Sequence, residues 1–317
     1  MYYIGIDLGG TNIAAGLVDS EYHILRKAST PTGADREACE IVADMAKICY
    51  ELLKELNLTP DDVEYIGIAT PGIANCDTGV VEYANNLPFR NFPIAEELKK
   101  RIPVKKVLIE NDANAAAKGE AVAGCAKGHA NSVMITLGTG VGGGIIIDNK
   151  VYSGFNHAGA ELGHIVIVQD GVQCSCGRKG CWEAYSSATA LIRMTKEKIT
   201  ACGASTAMLA AVEGDLSKVS GKTAFACAKE GDKAAQEVVD EYIKYLGTGI
   251  ANIINIFQPE ILSIGGGISN ERDNLLIPLR KIVEKEQYSR DGLRKTELRI
   301  ATLRNDAGIL GAAVLGL

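Results

Sequence analysis

Between Glu161 and Glu183 the chain reads Glu161-Leu162-Gly163-His164, then nine residues, then Cys174-Ser175-Cys176-Gly177-Arg178-Lys179-Gly180-Cys181-Trp182-Glu183. One imidazole and three thiols are the donors a closed tetrahedral Zn²⁺ site needs, about four N or S atoms at roughly 2.0–2.3 Å. A C-x-C-x₄-C run with a histidine close by is hard to explain by packing, and it points to a metal held by His164, Cys174, Cys176 and Cys181. Gly177 and Gly180 let the chain turn back so that Cys181 reaches the ion. A closed site would fix two carboxylates relative to each other, because Glu161 stands three residues before one ligand and Glu183 two after another. The competing reading is a glycine-rich loop of ordinary reduced thiols.

A second chemistry lies in three glycine clusters. Asp7-Leu8-Gly9-Gly10-Thr11-Asn12 separates two apolar runs, 2–6 and 13–18, and so reads as a hairpin turn. Backbone N–H groups unobstructed by Cβ atoms can converge there on a phosphate. Asp7 and Thr11 at the edges of the turn favour phosphate and Mg²⁺ over an empty turn. The pattern repeats at 138–144, between runs 133–137 and 145–148, where residues 138–143 match G-x-G-x-x-G. A strand follows the glycines in both places, so neither the dinucleotide fingerprint nor the P-loop applies, since both require a helix. Two such hairpins suggest two related halves that grip a chain of phosphates. The third cluster, Gly265-Gly266-Gly267, follows a strand at 260–264 and lets a flat base or a ribose lie close to backbone. Gly221-Lys222-Thr223 is no P-loop, because Leu216 stands where the first glycine belongs and no strand precedes it. Ser220 reads there as a helix cap.

These groups need elements to hold them. Apolar positions at Ile41/Val42, Met45, Ile48/Cys49, Leu52/Leu53 and Leu56 mark an amphipathic helix over 35–56. Thr59-Pro60-Asp61-Asp62 reads as a capped turn with proline at the first helical position. A strand at 63–69 runs into Thr70-Pro71-Gly72, at the edge where open α/β sheets bind ligands. A helix at 95–101, a strand at 107–110 and an alanine-rich helix to 123 follow. Asp112 opens that last helix and has two readings, an N-cap, for which Asp and Asn are favoured, or a working carboxylate. Further helices are expected at 187–202, 204–212, 220–230, 233–257 and from 274, then a strand at 298–302 and a small-residue helix at 306–315.

Length and composition bound the rest. A chain of 317 residues, 47% hydrophobic and 23% charged, is globular and long enough for two domains. Net charge is 33 − 39 = −6 and no basic block stands out, so a nucleic-acid partner is not expected. Nine cysteines without a signal peptide predict a cytoplasmic chain with reduced thiols. The longest weakly polar run, 133–147, contains five glycines and is too short to span a bilayer, so no membrane association is expected.

Asp7-Leu8-Gly9-Gly10-Thr11, Asn111-Asp112, Leu137-Gly138-Thr139-Gly140, Glu161-Leu162-Gly163-His164, the C-x-C-G-x-x-G-C-x-E run ending at Glu183 and Gly265-Gly266-Gly267 together resemble the ROK family of repressors, open reading frames and sugar kinases. Within it the chain is most similar to the bacterial glucokinases. The resemblance implies an actin-like, ribonuclease H-like α/β fold of two domains with an inter-domain cleft: an N-terminal domain over 1–118, rejoined by the helix at 306–317, and a C-terminal domain over 119–305. It implies ATP-dependent transfer to the 6-hydroxyl of a hexose, D-glucose first, with Asp112 as base and Gly72, Asn111, Glu161, His164 and Glu183 on the sugar. His164 would place one ring nitrogen on zinc and the other toward the sugar. Asn85 and Asn86 are further sugar candidates. Gly9, Gly10, Thr11, Asn12, Gly138, Thr139 and Gly140 would surround the ATP phosphates, Gly265 to Gly267 the adenosine, and Asp7 would act on Mg²⁺ through water. A homodimer or higher homo-oligomer follows from the resemblance alone. The family also contains sugar-responsive repressors with an added N-terminal DNA-binding segment, which a phosphate hairpin starting at Asp7 leaves no room for. A silent sugar sensor is disfavoured by Asp7, Thr11 and Asp112 occurring together. Ala158-Gly159-Ala160 lacks the His-Pro-Glu arrangement of the family's fructokinases but is not the Ala-Gly-Glu order of many glucokinases. N-acetylmannosamine, fructose or another hexose therefore stays open as the acceptor.

Overall fold

A computed structural model describes residues 1–317. The chain forms two compact units: Met1–Met134 with Gly144–Ala160 and Thr302–Leu317, and Ile135–Gly143 with Glu161–Ala301. The expected boundary at 118 falls inside a helix, Asp112–Ala123, and the first unit also takes in 144–160. The C-terminal return is helical over Ala307–Ala313, all of it buried.

Strands β1 (Tyr2–Leu8), β2 (Asn12–Val18), β3 (Ile24–Pro31) and β4 (Val63–Thr70) are followed by three short ones, β5 (Ile73–Asn75), β6 (Val80–Tyr83) and β7 (Arg90–Phe92), and then by β8 (Val107–Asn111). The main sheet has the order β3-β2-β1-β4-β8, and β5-β6-β7 form a small sheet of their own. β1, β4 and β8 run parallel, while β2 pairs antiparallel with both β1 and β3. Three parallel strands thus deliver Asp7, Thr70 and Asn111 to one edge, the C-terminal edge at which α/β sheets offer their loops to ligands. Helix α1 (Ala38–Glu55) buries Ile41, Val42, Met45, Ile48, Cys49, Leu52 and Leu53, and these join β1, β2 and β4 in one apolar core. The Thr59–Asp62 turn carries a full capping box with Pro60 at its start, and helix α2 (Ile94–Arg101) precedes β8.

The second five-stranded sheet has the order β11-β10-β9-β12-β13, built from β9 (Ser132–Leu137), β10 (Val141–Ile147), β11 (Lys150–Val151), β12 (Ile261–Gly265) and β13 (Glu297–Ile300). Its order repeats that of the first sheet, and in both a glycine turn joins the first two strands. The helix Lys233–Phe257 buries Leu246, Ile250, Ile253 and Ile254 on one face. β3 and β5–β7 are not foreseen by periodicity: β3 alternates half-buried with exposed residues, and the short strands are three or four residues long. Helix ends also move inward, to Ala207–Ala211 and Thr223–Lys229. Ser220 lies before the second of these, whose boundary residue is Lys222, and its hydroxyl accepts the Lys222 N–H at 3.3 Å. No helix is long and apolar enough to cross a membrane.

Candidate active site and metal centre

In the first unit, the turn after β1 is closed by a Gly9 N–H bond to the Asn12 carbonyl at 2.9 Å. Thr32, fully buried, donates its hydroxyl to the Gly9 carbonyl at 2.7 Å, and its N–H reaches the Thr11 carbonyl at 2.8 Å. The turn is therefore preset rather than floppy. Asn86 lies over it, with its amide where a side chain on Gly10 would stand. Asp7 sits against Gly308 of the C-terminal helix. Burial, and then the negative charge of Asp112, push its pKa up to about 6.

Asp112 follows β8 as the first residue of α3 (Asp112–Ala123), and the cap is Asn111, whose Oδ1 accepts the N–H groups of Ala113 at 2.9 Å and Asn114 at 3.2 Å. The capping reading of Asp112 is thereby corrected, since the residue one earlier already satisfies the open N–H groups of the first turn. Asp112 accepts only the Ala113 N–H through Oδ1, at 2.8 Å. Lost hydration raises its pKa, against a lowering by that hydrogen bond. Asn111 is itself oriented: its Nδ2 donates to the Gly72 carbonyl at 3.1 Å. Gly72 has φ +89°, and a Cβ there would lie 2.0 Å from the Tyr83 carbonyl oxygen, so only glycine permits this close approach. Buried Glu110 completes the support, accepting the Asn111 N–H at 2.9 Å and Asn114 Nδ2 at 3.1 Å on one oxygen and the Ser153 hydroxyl at 3.0 Å on the other. The sequence gives Glu110 no role. Its one signal is an acid at the buried end of an apolar strand.

In the second unit the four proposed zinc ligands come together, their donor atoms all within 4.8 Å of one another. His164 Nδ1 is 3.8 Å from Cys174 Sγ, and Cys176 Sγ is 3.6 Å from Cys181 Sγ. A tetrahedron with bonds of roughly 2.0–2.3 Å has edges of ~3.3–3.8 Å, so this donor set fits Zn²⁺. Backbone bonds shape the loop: the Cys174 N–H donates to the Arg178 carbonyl at 2.8 Å and the Gly177 N–H to that of Cys174 at 3.1 Å. Fully buried Trp182 anchors its end, donating its N–H to the Ile165 carbonyl at 2.8 Å and its ring Nε1 to that of Tyr245 at 3.1 Å. Arg178 steadies the His164 carbonyl at 3.1 Å.

Glu183 links this loop to the second glycine turn. Its Oε1 lies 3.2 Å from the Ser175 hydroxyl and 3.6 Å from Cys174 Sγ, while its Oε2 accepts the Val141 N–H at 3.0 Å. A Cβ on Gly140 would come within 2.3 Å of that carboxylate. The turn is pinned elsewhere too, as the Thr139 carbonyl accepts the Thr189 hydroxyl at 2.8 Å and the Gly138 carbonyl the Ala188 N–H at 2.8 Å. Glu161 stands just before the short helical turn Leu162–His164. Gly265 ends β12, and Gly266 lies against the Leu137 backbone with φ +81°. The first unit thus assembles Asp7, the 9–12 turn, Gly72, Asn111 and Asp112, with Asn85 beside Tyr83 at 3.2 Å. The second assembles the 138–140 turn, Glu161, His164, the three cysteines, Glu183 and the 265–267 loop.

A family model described as "ROK family" matches residues 3–317. A glucokinase of Streptomyces coelicolor is 38% identical over 317 residues, covering 98% of this chain and 96% of that protein. A xylose repressor of Bacillus subtilis is 31% identical, over 98% of this chain and 75% of its own length. Among solved structures, a ROK family glucokinase from Streptomyces griseus in complex with glucose and AMPPNP superposes with a TM-score of 0.82 at 36% identity, covering 99% of each chain.

Proposed function

The chain belongs to the ROK family, and from that premise we propose that it is an ATP-dependent hexose kinase of actin-like fold that phosphorylates D-glucose. Glucokinases at this identity over nearly the full length, and a structural relative holding glucose and an ATP analogue, support glucose and ATP as the substrates. The reading rests above all on one arrangement in the first unit. Asp112 is released from capping by Asn111 and is close enough to Asp7 for its charge to raise that residue's pKa. Two carboxylates are gathered at the C-terminal edge of parallel strands, and Asp112 accepts the Ala113 N–H through one oxygen, Oδ1. They suit proton abstraction and Mg²⁺ binding.

Asp112 takes the proton of the 6-hydroxyl as its oxygen bonds to the γ-phosphorus and ADP departs. Such transfers depend mostly on positioning and charge stabilisation, with a carboxylate accepting the hydroxyl proton. Asn111, Gly72, Glu161, His164 and Glu183 bind the remaining hydroxyls. The turns at Gly9, Gly10, Thr11 and Asn12 and at Gly138, Thr139 and Gly140 cradle the phosphates, and Gly265, Gly266 and Gly267 lie against the adenosine. Asp7 would hold Mg²⁺ through water, and the ion would offset phosphate charge. His164, Cys174, Cys176 and Cys181 would hold a structural Zn²⁺ that fixes the imidazole by one nitrogen. Nδ1 is the nitrogen near Cys174, at 3.8 Å from its sulfur, which would leave Nε2 available to the sugar.

A panel of hexoses with ATP tests this. D-glucose should give the largest kcat/KM, ahead of fructose, mannose and N-acetylmannosamine. A larger value for N-acetylmannosamine would replace the substrate and keep the kinase. Sugar binding without any ATP-dependent phosphorylation would make the chain a sensor.

A further inference from the structure

A second group of metal-competent side chains lies in the first unit, apart from the residues given roles above. Cys76 and Asp77 occupy the turn between β5 and β6, and His157 lies in the 153–160 loop, 81 residues from Cys76 in sequence. Cys76 Sγ is 3.4 Å from His157 Nδ1, and Asp77 Oδ2 is 3.4 Å from His157 Nε2. The two ring nitrogens therefore have different partners. A neutral imidazole carries a proton on one nitrogen and a lone pair on the other. The Asp77 carboxylate 3.4 Å from Nε2 favours the proton on that nitrogen, which leaves the Nδ1 lone pair on the Cys76 side. A carboxylate on the far nitrogen is the usual support of a metal-bound histidine, fixing its tautomer and raising its basicity.

We propose that Cys76 Sγ and His157 Nδ1 chelate a thiophilic divalent cation, Zn²⁺, with Asp77 as the group that orients the imidazole. Their 3.4 Å separation is that of two ligands on one tetrahedral edge, ~3.3–3.8 Å for bonds of roughly 2.0–2.3 Å. Cys76 and Asp77 are exposed, so water can fill the remaining positions. The ring itself is held, its side chain only 11% exposed. His157 stands at φ +56°, a region that non-glycine residues enter at a cost. The ion joins the turn that follows Gly72 to the loop that runs into Glu161. That coupling to the sugar rests on the kinase reading above, whereas the binding itself does not.

Equilibrium dialysis of the full chain against micromolar free Zn²⁺, without sugar or ATP, tests the site by metal content. The native chain should hold one equivalent more than Cys76→Ser and one more than His157→Gly. Glycine relieves the positive φ, so that variant stays folded. Asp77→Asn should keep the equivalent with affinity lowered ~10–100-fold. The cluster at His164 is intact in all of them and cancels in the difference. Equal zinc content in the native chain, Cys76→Ser and His157→Gly would overturn the proposal.

Discussion

Replacing Asp112 with asparagine separates a catalyst from a structural acid, and the geometry sets both magnitudes. The cap of α3 is Asn111, which the substitution leaves alone. The variant loses a negative charge at a helix N-terminus, a contact of about 0.3–1 kcal/mol. It also loses the repulsion that Asp112 exerts on Asp7, and the two changes oppose each other. An amide oxygen can still accept the Ala113 N–H. Net stability should therefore change by less than about 1 kcal/mol, or roughly 2–4 °C in Tm by size scaling. Turnover is another matter, because the proton acceptor is gone and a general base is worth about 10²–10⁴-fold. Calorimetric titration should find glucose bound within roughly tenfold of the native affinity, while a coupled assay shows kcat down by at least ~10²-fold. Asn111→Ala is the contrasting variant: it removes the cap, costs about 0.5–2 kcal/mol, and should lower Tm visibly. Native turnover in Asp112→Asn would refute the assignment, and Glu161 would become the carboxylate to test.

Two further outcomes follow from the same geometry. Cys176→Ser should lose metal and sugar affinity together, read as zinc per chain and glucose Kd on the same preparation; a metal-free chain with native glucose affinity would contradict the positioning role of the loop. Asp7 titrates near 6 in the folded chain against an ordinary 3.8, so the folded state holds a proton that the unfolded one has lost between those values, and this group's contribution to stability falls as pH rises through them. Mg²⁺ needs the ionised form: the Tm increase it produces should be small at pH 5, grow by pH 7.5, and lose that growth in Asp7→Asn, whereas equal growth in the variant would remove Asp7 from the metal site.

What could be read without coordinates was whatever has a local cause. Glycine turns announce themselves through residues that tolerate close backbone approach, and the helix Lys233–Phe257 through a sustained apolar face, found with those bounds. The four-ligand cluster was legible because three of its members lie within eight positions. Groups assembled over long separations left no such trace. Nothing near Cys76 hints at His157, and Glu110 gains meaning only when Asn111, Asn114 and Ser153 surround it. Asp112 could be read as the cap of α3 or as a working carboxylate because Asn and Asp are equally good caps, and only the acceptor distances show that Asn111 is the cap. The compact units differ from the expected 1–118 and 119–305 division because a unit that draws on 1–134, 144–160 and 302–317 is defined by packing between distant segments.

The two sheets share a strand order and a glycine turn in the same place, yet the turns are equipped differently, and the difference suits their proposed tasks. The first turn has an acid at its root: Asp7, pressed against Gly308, has its pKa pushed up to about 6 and in its ionised form is the proposed metal anchor. The strand before the second turn ends in Leu137, and that turn receives its carboxylate from outside, as Glu183 accepts the Val141 N–H. Because the other oxygen of Glu183 lies beside Ser175 and Cys174, one side chain spans the loop of the proposed zinc site and the proposed phosphate turn. A shift of the cysteine loop would then displace a sugar ligand and disturb an N–H of the nucleotide cradle in one movement. The repeated sheet thus supplies two glycine turns, and the acids attached to them fit the proposed metal role of one and the proposed sugar contact of the other.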